Sequence, residues 1–186
     1  MLRVPTIVIW FAALSQPSAQ HDAGPAQPPA SDIRCTSGAE CRAIGDKYCS
    51  EGKDRPLGAK YFQLGCDKGD SDSCVALAAM LFGGIFLPQD ESTALQLYQR
   101  ACELKDMHSC GVVAQMFERG SQQPGMVPAD LPRAAQTYQR ACDGGDACSC
   151  IKLAGLYSHG RGVTKNKRRA KELMERGRKN GCDPRE

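Results

Sequence analysis

The chain has 186 residues, 41% hydrophobic and 24% charged, with a formal net charge of +3 at pH 7. That balance is that of a water-soluble folded domain with appendages, and it excludes a polytopic membrane protein. Eleven cysteines are the outlying feature of the composition, and they raise the question of compartment before any question of chemistry.

The N-terminus answers it. Met1-Leu2-Arg3 is a short positive start, Val4 to Leu14 is an apolar run containing Ile7, Val8, Ile9, Trp10 and Phe11, and Ser15 to Ala19 is a small, polar exit. This is the pattern of a secretory signal peptide over residues 1–19. Ser15 and Ala19 both suit cleavage, with Pro17 unfavourable to the second; an uncleaved membrane-tethering helix is the alternative, set against an apolar core too short to span a bilayer comfortably. No cysteine follows the run closely, so no lipoprotein anchor and no stable membrane attachment after cleavage is expected. Export to the periplasm or the extracellular space puts the cysteines where paired thiols persist. Residues 20–34, rich in Pro, Ala, Gln and Gly without an apolar period, are expected to be a flexible linker, residues 35–182 the folded domain, and 183–186 a short tail.

Within 35–182 the apolar periodicity predicts helices near 40–51, 57–67, 72–82, 91–104, 108–119, 131–143, 148–158 and 167–179, making four hairpins. Gly52, Gly83-Gly84, Gly120 and Gly160 follow the first helix of each pair, where a left-handed cap residue is wanted. Gly69-Asp70 and Gly145-Asp146 end the second helix of a pair and open the next; Lys105-Asp106 stands in the same place without the glycine. Ser121 to Pro132, with Pro124, Gly125 and Pro128, is expected to be a surface excursion.

The hairpins repeat in sequence as well as in period. Ala141-Cys142, six residues, then Ser149-Cys150 forms a frame, seven residues between its cysteines, that recurs at Cys102 and Cys110 and at Cys66 and Cys74, with spacings of 36 and 40 residues between the first cysteines. Before the frame, the segment from Ala94 to Cys102 reappears from Ala134 to Cys142, sharing Tyr-Gln-Arg-Ala-Cys. After it come Leu77, Ala78 and Leu81; Val113, Ala114 and Phe117; Leu153, Ala154 and Tyr157, a buried stripe at offsets of three, four and seven. Self-similarity at this period marks stacked helical hairpins, and the expected fold is all-α, a right-handed α/α solenoid of about four hairpins.

From Ala39 to Gly181 this pattern resembles the Sel1-like repeat family, a relative of the tetratricopeptide repeats, and the cysteine frame narrows the resemblance to a cysteine-rich secreted branch, the Helicobacter cysteine-rich proteins described as β-lactamase-like. The resemblance implies disulfides between the two cysteines of each frame: Cys66 with Cys74, Cys102 with Cys110, and Cys142 with Cys150. Cys41 occupies the second-cysteine place of a degenerate first frame, and the nearest partner is Cys35. Cys41 and Cys49 show the same gap but lie on one helix, about 12 Å apart by helical rise, beyond disulfide reach. Cys148 and Cys182 occupy equivalent connectors after the third and fourth hairpins, which stacking brings side by side, so a bond between them is expected. Cys49 is left over, to be free or intermolecular.

Other chemistry is sparse. Zinc sites favour cysteine gaps of two to four residues and recruit histidine, whereas His21, His108 and His159 do not gather around any such gap; no metal or other cofactor is expected. The β-lactamase resemblance directs attention to Ser-x-x-Lys fragments, found at Ser50 to Lys53 and at Ser149 to Lys152, but no Lys-Thr-Gly or Ser-Asp-Asn accompanies them. The last helix is strongly basic (Lys165, Lys167, Arg168, Arg169, Lys171, Arg176, Arg178, Lys179), as the polar cap of a solenoid should be; an acidic partner is the alternative. With 6% aromatic residues and an export signal, a nucleic-acid partner is not expected. The leading reading is a scaffold whose groove binds a protein or peptide, peptidoglycan-related peptides among the candidates. A weak β-lactam-binding protein or hydrolase comes second, from the resemblance alone, and a thiol-dependent assembly factor for a metalloprotein third, from likeness to eukaryotic relatives.

Overall fold

The computed structural model describes residues 34–52, 54–121 and 127–182. The expected signal peptide, nearly all of the expected linker, the expected C-terminal tail and part of the excursion after Ser121 lie outside them. Among the described residues there are eight helices, α1 (Gly38–Ser50), α2 (Arg55–Asp67), α3 (Ser71–Gly83), α4 (Glu91–Glu103), α5 (Met107–Arg119), α6 (Leu131–Asp143), α7 (Ala147–His159) and α8 (Lys167–Lys179), and no strand. They pack as four hairpins, α1 with α2 through α7 with α8, each stacked on the one before.

Local chemistry sets the boundaries. Every helix opens on Ser, Asp or Asn (Ser37, Asp54, Asp70, Asp90, Asp106, Asp130, Asp146, Asn166) whose side-chain oxygen accepts a bond from the amide three residues on. Each such cap satisfies an amide the helix leaves unpaired and contributes about 1 kcal/mol. The junctions between hairpins are tighter still: the amides of Asp70, Asp106 and Asp146 donate back to the carbonyls of Gly65, Ala101 and Ala141, so one aspartate closes one helix and caps the next. That closure needs a left-handed residue just before the aspartate. Gly69 (φ 86°) and Gly145 (φ 104°) supply it, and Lys105 adopts φ 75° in the same place. After α3 and α7, Gly84 and Gly160 are left-handed caps, but Gly120 after α5 pairs φ 69° with ψ 177°. Gly120 has the positive φ expected of it, but its ψ departs from that of the expected left-handed helical cap, and the Ser121 amide that follows donates to the Val127 carbonyl.

The core runs the length of the stack. Leu77, Ala78, Val113, Ala114, Phe117, Leu153 and Ala154 are buried, while Leu81 and Tyr157 are half-buried. Met80, Met116 and Leu156, six residues after the second frame cysteine, are also buried, so the odd-numbered helices from α3 on bury two faces, one against their own hairpin and one against a neighbour. The residue before each first frame cysteine is small and buried: Gly65, Ala101, Ala141 and, in α8, Gly177. A methyl group on Gly65 would stand 2.3 Å from the Ser73 hydroxyl, so close approach of the two helices forbids anything larger.

Arginines tie hairpin to hairpin. Arg100 donates to the carbonyl of Asp67 (3.2 Å), Arg140 to that of Cys102 (3.4 Å) and Arg176 to that of Cys142 (3.1 Å), each reaching the C-terminal end of the equivalent helix one hairpin earlier. A guanidinium there meets unpaired carbonyls and the negative end of a helix dipole. Arg176 also bonds the Asp143 carboxylate at 3.0 Å.

Candidate functional site

The cysteines fall into two groups by exposure. Cys66–Cys74, Cys102–Cys110 and Cys142–Cys150 are disulfides with Cα separations of 4.6–4.7 Å, and all six residues are at most 4% exposed. They join the C-terminal turn of α2, α4 and α6 to the first turn of α3, α5 and α7. The bonds Cys35–Cys41 and Cys148–Cys182 close the two ends of the stack; Cys148 is exposed, and Cys35 and Cys182 are half-buried. Cys49 is a half-buried free thiol, which burial pushes above its ordinary pKa, and it lies against Gly58 of α2. A thiol so held is mostly protonated near neutrality and poorly nucleophilic.

Among the described residues neither candidate serine is bonded to a base. Ser149 is 2% exposed at the start of α7, in the place held by Ser73 and Ser109. Its amide donates to Asp146 and its hydroxyl lies close to Gly111 of α5, without a hydrogen-bond partner. Lys152 is on the exposed face of the same helix. Ser50 is exposed and its hydroxyl donates to the Lys47 carbonyl at 3.2 Å; Lys53 lies outside the described residues. His108 faces the Asp146 carboxylate at 3.8 Å, and His159 bonds Ser158 and the Gly155 carbonyl within α7, so the two histidines have separate partners. Much of the basic cap is internally paired: Arg168 and Arg169 lie within 4 Å of Glu172, Lys171 of Glu175, and Arg176 holds Asp143.

What the sequence reading did not anticipate is an apolar surface at the turn after α3. Phe82 (41% exposed), Ile85 (50%) and Phe86 (47%) are three of the four exposed large apolar side chains among the described residues. Phe82 forms one wall of a cavity of ≈ 210 Å³ enclosed by Tyr98 of α4 and by Val112 and Met116 of α5, with Glu91 and Arg119 among its lining. An apolar pocket carrying a few charged groups is the usual form of a recognition site.

The backbone of the turn that follows Phe82 is strained. The turn from Gly84 to Asp90 and the turn from Gly160 to Asn166 have the same length and the same bonds back to their helices, Ile85 to Met80 and Asp90 to Leu81 in one, Arg161 to Leu156 and Asn166 to Tyr157 in the other. The third residue is left-handed in both, but it is Gly162 (φ 68°) in the second and Phe86 (φ 66°) in the first. A bulky residue held there costs about 1–3 kcal/mol, and such strain gathers at functional sites. The Phe86 ring is covered on one side by the Arg55 guanidinium, 3.8 Å from its centroid. A signal was present in the sequence: Ile85-Phe86-Leu87 is an apolar triplet in a turn, where its sister turn carries Arg161-Gly162-Val163.

Comparison with known proteins bears on the fold. The model of the Sel1 repeat matches residues 41–70, 71–106, 108–146 and 149–182. No curated protein matches the chain significantly. Among solved structures, a protective antigen of uropathogenic Escherichia coli displaying an SLR fold aligns with a TM-score of 0.70 at 24% identity, over 78% of this chain and 31% of that one. A Sel1 repeat protein from Oxalobacter formigenes aligns at 0.68 and 24% identity, over 78% and 59%. Helicobacter pylori cysteine rich protein B aligns at 0.52 and 24% identity, over 79% and 96%. The chain therefore spans about a third of the first of these and under two thirds of the second, and the likeness at this identity is one of fold.

Proposed function

This chain belongs to the Sel1 repeat family, and from that premise we propose that it is an exported, disulfide-stapled scaffold that binds a protein or peptide segment at the pocket lined by Phe82, with the exposed turn carrying Ile85 and Phe86 as its extension. The observation that carries the reading is Phe82, a large exposed aromatic side chain that lines an apolar cavity with Tyr98, Val112 and Met116; the turn that follows it keeps Ile85 and Phe86 exposed, with Phe86 at a positive φ where the sister turn has glycine. A cavity of that size takes one or two apolar side chains, and Glu91 and Arg119 in its lining give a backbone or charged group of the same segment something to bond. Peptidoglycan-related peptides fall within this class. Five disulfides favour an oxidising environment, and with the apolar start of the chain they support residues 1–19 as a signal peptide, 20–34 as a linker and a periplasmic or extracellular location. Among the described residues no helix is long and apolar enough to cross a membrane.

The experiment is a pull-down from the envelope fraction under oxidising conditions, with the wild-type domain beside a Phe82→Ser/Ile85→Ser variant. The reading expects a defined partner retained by the first and lost from the second while both keep the same helical content. Equal retention by both would refute the pocket as the binding surface.

A further inference from the structure

We propose that the Cys148–Cys182 bond is a thiol–disulfide exchange site, opened by a dithiol while the three frame disulfides stay closed, and that its opening loosens α8 from the stack. Cys148 is the second residue of α7 and exposed; Cys182 follows α8 and is half-buried. Exchange requires a thiolate to reach a sulfur along the line of the bond being broken. The frame cysteines offer no such approach, since Cys66, Cys74, Cys110, Cys142 and Cys150 are 0% exposed and Cys102 is 4%. At the other end of the stack, Cys41 is 0% exposed, so attack on Cys35 would expel a thiolate into a site closed to solvent, where it is a poor leaving group. Cys148 is expelled instead into solvent at the N-terminal turn of α7, whose dipole favours negative charge.

The place of the bond in the repeat also sets it apart. Cys182 occupies at the end of α8 the position that Asp146 occupies at the end of α6; its amide donates to the Gly177 carbonyl as that of Asp146 donates to Ala141. Cys148 stands in α7 where His108 stands in α5, and His108 faces Asp146 at 3.8 Å. A weak polar contact at one junction is thus replaced by a covalent but reversible one at the next. α8 is otherwise held by Ala170, Leu173 and Gly177 in the core, by Met174 packed against it, and by Arg176 on the Asp143 carboxylate and the Cys142 carbonyl.

The step balances as a two-electron exchange. One thiolate of the dithiol attacks the Cys182 sulfur, forming a mixed disulfide and releasing Cys148 as a thiolate that takes a proton. The second thiol of the dithiol, as its thiolate, attacks its own sulfur in the mixed disulfide and releases Cys182, also protonated. The dithiol ends as a disulfide and the protein gains two thiols.

The test is a time course with limiting dithiothreitol on the whole folded protein, quenched with a maleimide and mapped by peptide mass spectrometry, with Cys49 scored separately. Cys148 and Cys182 should be labelled together, on the order of tenfold or more faster than any frame cysteine, and hydrogen exchange should rise in α8 at that stage while α4 to α6 remain protected. Labelling of a frame pair, or of Cys35 with Cys41, at the same rate would overturn the proposal, as would unchanged exchange in α8 after selective reduction. A Cys148→Ser/Cys182→Ser variant should lack the fast phase and show the faster α8 exchange without reductant; a fast phase surviving in it would also refute the assignment.

Discussion

Replacing Cys102 and Cys110 by alanine removes one staple from the middle of the stack, and its effect follows from the ring it closes. The two cysteines are 8 residues apart in sequence, and the chain-entropy relation for a ring of that size gives about 2.6 kcal/mol of stabilisation through the unfolded state. Both residues are buried, so the lost sulfur atoms add a packing cost on top of it. For a domain of this length about 1 kcal/mol corresponds to about 2–4 °C, so the ring alone places the melting temperature at least about 5–10 °C below wild type. The bond also crosses a repeat boundary, because Cys102 ends the repeat 71–106 and Cys110 begins the repeat 108–146. In a solenoid, stability is divided between repeats and their interfaces, so the transition should broaden as well as shift. Scanning calorimetry of the double variant without reductant is the assay. A melting temperature within a degree of wild type, with an unchanged calorimetric width, would refute the reasoning that the staples couple neighbouring repeats.

Gly65→Ala should cost at least about 1–3 kcal/mol by overpacking, because its methyl group would stand 2.3 Å from the Ser73 hydroxyl; chemical denaturation measures it. Phe86→Gly removes backbone strain but also the Arg55 stacking, so thermal stability should hold or rise by about 1 kcal/mol while ligand binding falls; a variant with lower stability and intact binding would reverse the reading of that turn. Arg140→Ala should cost about 0.5–1.5 kcal/mol through the lost bond to the Cys102 carbonyl, seen as a lower denaturation midpoint. The Thr93 hydroxyl and amide hold the Asp90 carboxyl below its ordinary value. Its contribution is therefore complete above that ordinary value and is lost as pH falls through the depressed one. Asp90→Asn should flatten the stability curve below about pH 4, and an acid limb identical to wild type would contradict it.

The helices were legible in the sequence to within about two residues at their ends, because their signals are local: an oxygen-bearing cap at each start, and glycine or a capping turn at each end. The starts of α1, α2, α3, α5 and α7 lie one or two residues earlier than periodicity alone suggests, since the caps Ser37, Asp54, Asp70, Asp106 and Asp146 sit ahead of the first apolar position. Met80, Met116 and Leu156 escaped a one-stripe reading because an inner helix of a stack is covered on two sides, and the second side belongs to a neighbour far along the chain. The arginine ties were visible only as the shared Gln-Arg-Ala-Cys of two repeats; what they reach depends on the stacking. Phe86 is harder again. Its triplet is conspicuous, but the left-handed backbone that makes it informative is a property of the folded turn, as it is for Lys105.

The most direct test of the binding claim is site-specific photocrosslinking from position 82 or 86 in the producing cell, with position 103 at the exposed C-terminal end of α4 as the reference. The account predicts a discrete protein or peptide adduct from 82 and 86 that is absent from 103. Equal adduct formation from all three positions, or none from 82 and 86, would contradict it.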